Sequence, residues 1–340
     1  MGSSLSYARR AGVDDGSGMS TLIDPPLRAP FNYFGCKAAI ASEVWTRLGN
    51  PRVFIEPFLG SAAVLLARPG GAPPASDLEI VNDADGHISN VWRAIQTHPG
   101  ELVDAMVTGA REVDLHARAA VAVERSADLV SRLEGDPAFC DTELASWWLT
   151  GARAAIPGDW LKPGPWHRER GEDGVWRLVK GEPGSGVTRS VPGSHGSFAG
   201  PNLEPERWLQ LLAERLRRVT ILCGDWRRAV SPFTLAPHNR PGVRAIFLDP
   251  PYQAPHESTL YRVDEPGVAE QVRAWCLSAD PAWRIAVCGY GGEHAELVEH
   301  GWQVLSWRAR GGFGNDRTSE RERLWFSPAC LDPVRQPTLF

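Results

Sequence analysis

The sequence predicts an α/β protein whose core is a mostly parallel sheet, with a long region inserted into it and an antiparallel strand at one edge. Three observations carry this expectation. Short apolar runs at Val53–Ile55, Leu78–Val81, Val219–Cys223 and Ala245–Leu248 each end against an acid or a glycine turn, the pattern of strands buried on both faces. Segments with helical spacing follow, such as Ile40, Val44, Trp45 and Leu48, or Ile88, Val91, Trp92 and Ile95, and strands alternating with helices build parallel sheets. Late in the chain, two strand-like runs (Trp302–Trp307 and Arg323–Ser327) flank a glycine-rich turn, Gly311–Asn315, which fits an antiparallel addition to one sheet edge.

With 340 residues the chain is long enough for two domains, one inserted in the other. A hydrophobic content of 43% and a charged content of 23% are those of a globular chain. No run reaches membrane-spanning length and no leader with a cleavage site is visible, so no membrane partner is expected. The six cysteines (36, 140, 223, 276, 288 and 330) are scattered, without C-x-x-C pairs or histidines at metal spacing. They read as reduced thiols of a cytoplasmic protein, with no metal site. A net charge of −5 argues against a non-specific nucleic-acid coat, so any nucleic acid has to meet a locally basic face.

Taken in order, residues 1–29 are rich in Gly, Ser and Asp and are expected to form a disordered leader, with Met19 an alternative start. Residues 30–100 and 203–328 are assigned to one catalytic domain, 101–202 to an inserted helical and target-recognition region, and 329–340 to a tail. In Pro30–Lys37 a glycine two before a lysine opens a helix. Lys37 is one of only three lysines, so a cation chosen against the prevailing arginine suggests a specific role. Val53–Val64 reads as strand, acid, glycine turn and apolar helix. Glycine permits close backbone approach, whereas Glu56 would repel a pyrophosphate and suits a cationic or hydroxyl-bearing ligand. An acid ending a second strand, here Asp83, commonly accepts ribose hydroxyls. The helix with Trp92 reads as core packing and nothing more.

Residues 101–155 are mostly helical in pattern. From Ile156 to Pro201 periodicity is lost, and the stretch reads as long, Gly/Pro-rich and irregular. It carries Trp160, Trp166 and Trp176. Six basic residues (Lys162, Arg168, Arg170, Arg177, Lys180, Arg189), with Arg153 just before the stretch making seven, outnumber its five acids. Basic and aromatic residues together suit phosphate contacts and base stacking or wedging; a loop anchored by tryptophans is the plainer alternative. A helix, Pro205–Arg217, and the strand Val219–Cys223 then lead to Asp225 and Trp226. Ala245–Leu248 ends at Asp249-Pro250-Pro251-Tyr252, where two prolines fix the exit turn and an acid, a free carbonyl and an aromatic ring meet. Ligands bind at the carboxyl ends of strands in open α/β sheets. Facing that crevice, Asp249 is expected to be dispensable for folding.

Four stretches in this order, Pro30–Lys37, Glu56–Ser61, Asn82–Asp83 and Asp249–Tyr252, together resemble the Dam-like (D12 class) DNA adenine-N6 methyltransferases, particularly phage and prophage members. The resemblance spans residues 30 to 255 at motif level. It implies a Rossmann-like methyltransferase sheet and S-adenosyl-L-methionine as cofactor, held by Tyr33, Gly35, Lys37, Glu56, Pro57, Phe58, Gly60 and Asp83, with Asp225, Trp226 and Asp249 in the same set. Asp249, Pro250 and Tyr252 would be catalytic on an adenine flipped out of double-stranded DNA. Arg168, Arg170, Arg177, Tyr261 and Arg262 would contact that DNA. Cys36 and Ala62 stand where the family usually has glycine, and a positive φ at either would weaken cofactor binding. Related motifs also serve methylation of cytosine N4 or of protein amide nitrogen, and a catalytically weak DNA- or cofactor-binding protein is the alternative of another class. Gln336-Pro-Thr-Leu-Phe340 resembles the Gln-x-x-Leu-Phe peptide that docks on bacterial sliding clamps, with Pro337 in place of the usual Leu; an incidental terminus is the alternative.

Overall fold

A computed structural model describes residues 27–31, 33, 35–107, 112–154, 161, 166–173, 175–180, 204–235, 242–252, 267–307 and 322–333. In chain order the strands are β1 Val53–Glu56, β2 Leu78–Asp83, β3 Trp166–Arg170, β4 Trp176–Lys180, β5 Val219–Cys223, β6 Arg244–Leu248, β7 Arg284–Tyr290, β8 Gln303–Ser306 and β9 Glu322–Phe326. The helices are α1 Ala41–Leu48, α2 Ala63–Leu66, α3 Gly86–Thr97, α4 Val103–Val107, α5 Glu112–Glu124, α6 Ser126–Gly135, α7 Thr142–Ala154, α8 Pro205–Leu216, α9 Pro232–Leu235, α10 Val268–Ser278 and α11 Glu296–Glu299.

Seven strands form one sheet in the order β5-β2-β1-β6-β7-β9-β8. β5, β2, β1, β6 and β7 pair in parallel. β9 runs antiparallel to both β7 and β8, and β8 is outermost. The antiparallel departure therefore lies toward one edge and is made by β9 alone, since the outermost β8 runs in the same direction as β7. The chain runs outward from β1 through β2 to β5, then returns to β6 on the other side of β1. That reversal puts the topological switch point between β1 and β6, where ligands of such sheets bind.

The period-two alternation of the strands divides the interior into two cores. Phe54, Val81, Ala245, Phe247, Ala286 and Leu324 join α1, α2, α3 and α8 on one face. Val53, Ile55, Ile80, Ile246, Leu248, Ile285 and Trp325 join α9, α10 and α11 on the other. Both faces are thus covered by helices, which is why the central strands read as unbroken apolar runs. Of the inserted helices, α6 and α7 pack on α3, α4 on α8 and α5 on α7, and they extend the first core, to which Leu102, Leu129, Leu144 and Leu149 belong. Arg93, buried on α3, ties α6 and the following turn to β5 by donating to the carbonyls of Leu133, Asp136, Phe139 and Ile221.

The irregular stretch expected after residue 155 contains a β-hairpin instead. β3 and β4 pair antiparallel, apart from the main sheet, with Gly171 N–H bonded to the Val175 carbonyl at the turn. After β9 the chain folds back, and the Leu331 N–H donates to the Arg47 carbonyl at the end of α1. The tail therefore leaves from the amino-terminal edge of the sheet; Gln336–Phe340 lies outside the described residues, as do Tyr261, Arg262 and the Gly311–Asn315 turn. Among the described residues no helix is long and apolar enough to cross a membrane.

Candidate active site at the switch point

Since β1, β2, β5 and β6 are parallel, their terminal residues Glu56, Asp83, Cys223 and Leu248 and the turns after them lie along one edge. The turn between β1 and α2 is bound to β2. Asp83 Oδ2 accepts from the Gly60 N–H at 2.8 Å, and Asp83 Oδ1 accepts from the Asp85 N–H at 2.9 Å. Gly60 has φ +47°, and a Cβ there would lie 2.5 Å from the Tyr33 ring, so only glycine lets the Pro30–Lys37 segment close over this turn. Gly35 is likewise left-handed, with φ +74°.

Trp92 does more than pack. Its indole N–H donates to the Gly60 carbonyl at 2.9 Å, and its ring meets Phe31, which also makes an edge contact with Trp148 of α7. Arg153, also on α7, donates to the Pro30 carbonyl. The inserted region thereby braces the first motif from below. Periodicity shows a tryptophan as core but not where its one donor goes.

The two glycine replacements separate. Cys36 has φ −52°, conventional backbone for any residue. Ala62 has φ +54° and ψ +26°, a left-handed conformation costing an alanine roughly 1–2 kcal/mol. Its side chain is fully buried, and burying a methyl returns about 0.8 kcal/mol. Burial offsets much of the strain, which accounts physically for alanine at a site better suited to glycine.

Glu56 is 2% exposed and accepts the Leu65 N–H at 3.1 Å. Burial pushes its carboxyl well above the usual value, against the lowering by the Leu65 bond, with the Asp249 charge adding to the rise. The folded chain thus keeps a proton that the unfolded chain has released. Stability therefore falls as pH rises above about 4.5 until the folded-state value is passed. Glu56→Gln should remove that slope: unfolding midpoints in urea should nearly coincide around pH ~4 and separate by about pH 8, wild type being lower. Parallel curves for the two proteins would mean that Glu56 is ionised when folded.

At the end of β6, Lys37 Nζ lies 2.9 Å from Asp249 Oδ2 and 2.8 Å from the Gly35 carbonyl. It also stands over the Tyr252 ring, 5.1 Å from the centroid. The Tyr252 hydroxyl donates to Asp249 Oδ1 at 3.1 Å. Lys37 is 3% exposed, so Asp249 partners a buried cation, and replacing it is expected to cost stability as well as an acceptor. Beneath them, burial pushes the Cys288 thiol well up, with the neighbouring Asp249 charge contributing. Tyr290, at the end of β7, is a residue that sequence reasoning missed. Its ring lies nearly parallel to Tyr252, at 27° and 6.4 Å between centroids.

Asp225 and Trp226 follow β5. The Trp226 ring is buried and stacks on Phe58 at 5.9 Å and 29°, beside Trp275. Asp225 is held by Arg227, whose guanidinium and N–H both bond it, and this bonding keeps its carboxyl below the usual range. Pro57 lies against β2 through its carbonyl, which accepts from Asn82 Nδ2. The buried side-chain oxygen of Asn82 has no partner among the described residues. For Arg168, Arg170 and Arg177 the structure gives strand position only, on β3 and β4. Among the described residues no group of three or more His, Cys, Asp or Glu side chains is placed to hold a metal ion.

Fold and site together define an α/β protein with a mostly parallel seven-stranded sheet, compatible with a Rossmann-like fold, that gathers acids and aromatic rings at its switch point. No family model matches the chain, and no curated protein matches it.

Proposed function

We propose that the chain is a Dam-like DNA adenine-N6 methyltransferase using S-adenosyl-L-methionine. The observation that carries the reading is the convergence of the four motifs on one sheet edge at the strand-order reversal, cross-bonded as Gly60–Asp83 and Lys37–Asp249. The lining suits that cofactor. Asp83 is an acceptor where phosphates would need donors, and Phe58, half-buried and backed by the buried Trp226 ring, is an aromatic neighbour of the same turn. When bound, the cofactor supplies an electrophilic methyl group on a sulfonium sulfur.

Adenine N6 is a weak nucleophile because its lone pair is delocalised into the ring. The Asp249 carboxylate and the Pro250 carbonyl are acceptors for its two protons, favouring a tetrahedral nitrogen as attack proceeds. Asp249 is also placed to take the proton that the methylated nitrogen sheds. The base has to leave the duplex to reach them. Tyr252 supplies a ring on which the extruded base could stack, and Tyr290, already in offset contact with it at 6.4 Å between centroids, is the neighbour that such a base would meet.

Duplex DNA would be met by the inserted hairpin. Its register puts Trp166, Arg168 and Arg170 of β3 on the same face as Trp176, Leu178 and Lys180 of β4, while Glu169 pairs with Arg177 on the other. A two-stranded ribbon fits the major groove, and one face concentrates cations with tryptophan in a chain of net charge −5. Replacing Arg168, Arg170 and Lys180 by Gln should lower the slope of log affinity against log salt by up to ~0.9 for each phosphate no longer neutralised, so ~3 in all. Arg177→Gln alone should leave it nearly unchanged. Equal effects from both variants would put the DNA-binding face elsewhere.

The direct test is transfer of tritiated methyl from the cofactor to duplex DNA, followed by nucleoside analysis. Label in N6-methyladenine supports the proposal. Label in N4-methylcytosine or in protein identifies the related chemistries, and DNA retention without label points to a binding protein. A sliding-clamp partner for Gln336–Phe340 is compatible with the anchor at Leu331, because the tail's root lies at the edge opposite Asp249.

A further inference from the structure

We infer that Lys37 acts on the catalytic carboxylate rather than on the cofactor: it is a positioning residue that fixes Asp249 and links it to the glycine turn of the first motif. The inference rests on the methyltransferase reading and departs from it in one respect, since the motif resemblance makes Lys37 part of the cofactor's own binding set. A lysine serving a ligand keeps its ammonium directed to the cleft, available to that ligand. Here the ammonium is committed inward, to Asp249 Oδ2 at 2.9 Å and the Gly35 carbonyl at 2.8 Å, and its side chain is 4% exposed. Charge-assisted bonds of this length are the strong ones, and low exposure protects this one from screening.

The two carboxylate oxygens then have different tasks. Oδ2 is held by a buried cation anchored to the backbone of the first motif, whereas Oδ1 is held by the Tyr252 hydroxyl. Tyr252 is half-buried whereas Lys37 is buried, so Oδ1 is the oxygen that can exchange its partner for an incoming amino group. A carboxylate fixed on one side by Lys37 presents the other oxygen without reorganising, which is the condition for an effective acceptor. Gly35 completes the linkage, because any ligand that settles the Pro30–Lys37 turn also settles the lysine that orients Asp249.

The test uses the full chain with Lys37→Met and Lys37→Arg. Cofactor affinity is read by calorimetry and single-turnover methyl transfer is read at saturating cofactor. The expected result is a cofactor Kd within about threefold of wild type and a transfer rate lower by ~100-fold in Lys37→Met, with Lys37→Arg recovering at least about tenfold of that loss. A Kd raised by more than about thirtyfold with an unchanged transfer rate would assign Lys37 to the cofactor and overturn the inference. A readout independent of activity is the double-mutant cycle in thermal unfolding of Lys37→Met, Asp249→Asn and the pair. The double variant should melt near the single variants because the two changes remove one interaction. Additive losses would overturn the inference even if the protein methylates DNA, whereas non-additive losses in a protein that neither binds the cofactor nor transfers methyl would sink the methyltransferase reading alone.

Discussion

Asp249→Asn should lower the rate of methyl transfer by ~100- to ~1,000-fold, the usual cost of removing one oriented acceptor from a polar transition state. The amide is nearly isosteric with the carboxylate, so no cavity opens and the turn set by Pro250 and Pro251 is retained. It replaces an acceptor by a donor on one side and cannot neutralise Lys37. The side chains of the pair are 4% and 18% exposed. Removing one partner of a fully buried pair costs about 3–5 kcal/mol, and the partial exposure of Asp249 brings the expected stability loss to about 1–3 kcal/mol. The two effects are separable: rate by single turnover below the unfolding temperature, stability by urea midpoint. A variant that turns over like wild type would remove Asp249 from the chemistry, and one with unchanged midpoint would mean that Lys37 finds another anion.

Much of this site is legible in the sequence as strand ends. The apolar runs stop where the sheet's edge is, so Glu56, Asp83, Asp225 and Asp249 fall along that edge on sequence pattern alone. What the sequence does not carry is how those ends are joined. Nothing local to Lys37 says that its ammonium reaches β6, because that depends on the first motif folding across the switch point. Tyr290 follows an ordinary buried run, and its relevance comes only from β7 lying beside β6. Trp92 matches the helical period of the core, which reports the ring's burial and is silent about its N–H. For Ala62, composition gives size but not φ, and the strained left-handed backbone is visible only once the turn is built.

The hairpin escapes sequence reading for a different reason. Trp-His-Arg-Glu-Arg and Trp-Arg-Leu-Val-Lys alternate in charge and aromaticity more than in hydropathy, so a search for apolar period two finds little. Its pairing also stands apart from the main sheet, and no neighbouring strand run advertises it. The same alternation becomes informative once the register is known, because it sorts Arg168, Arg170 and Lys180 from Arg177. By contrast, the edge formed by β8 and β9 can be anticipated, since two short runs around a glycine-rich turn have few other places to go.

The sheet that aligns these ends depends on a buried ion cluster, and Glu79→Ala should cost about 3–5 kcal/mol of stability. Glu79 is 2% exposed on β2, on the same face as Val81 and Asp83. Arg215 of α8 grips it with two bonds, at 2.6 and 2.9 Å, and Arg68 adds a third at 3.1 Å. Both guanidiniums are themselves buried and also bond to the carbonyls of Leu65 and Pro51, so neither can swing out to water without breaking the segments around α2. Removing the acid leaves Arg215 without its carboxylate in a low-dielectric interior and Arg68 with only the longer contact to Asp77, at 3.9 Å, the situation in which breaking an ion pair is costly. Against an ordinary total of about 5–15 kcal/mol for a domain, the loss should lower the urea midpoint strongly with little change in slope. It should also be nearly insensitive to added salt, because buried pairs are poorly screened. A shift below about 1 kcal/mol, or one that salt abolishes, would mean that the cluster behaves as a surface pair and that α8 is held to the sheet by its apolar face alone.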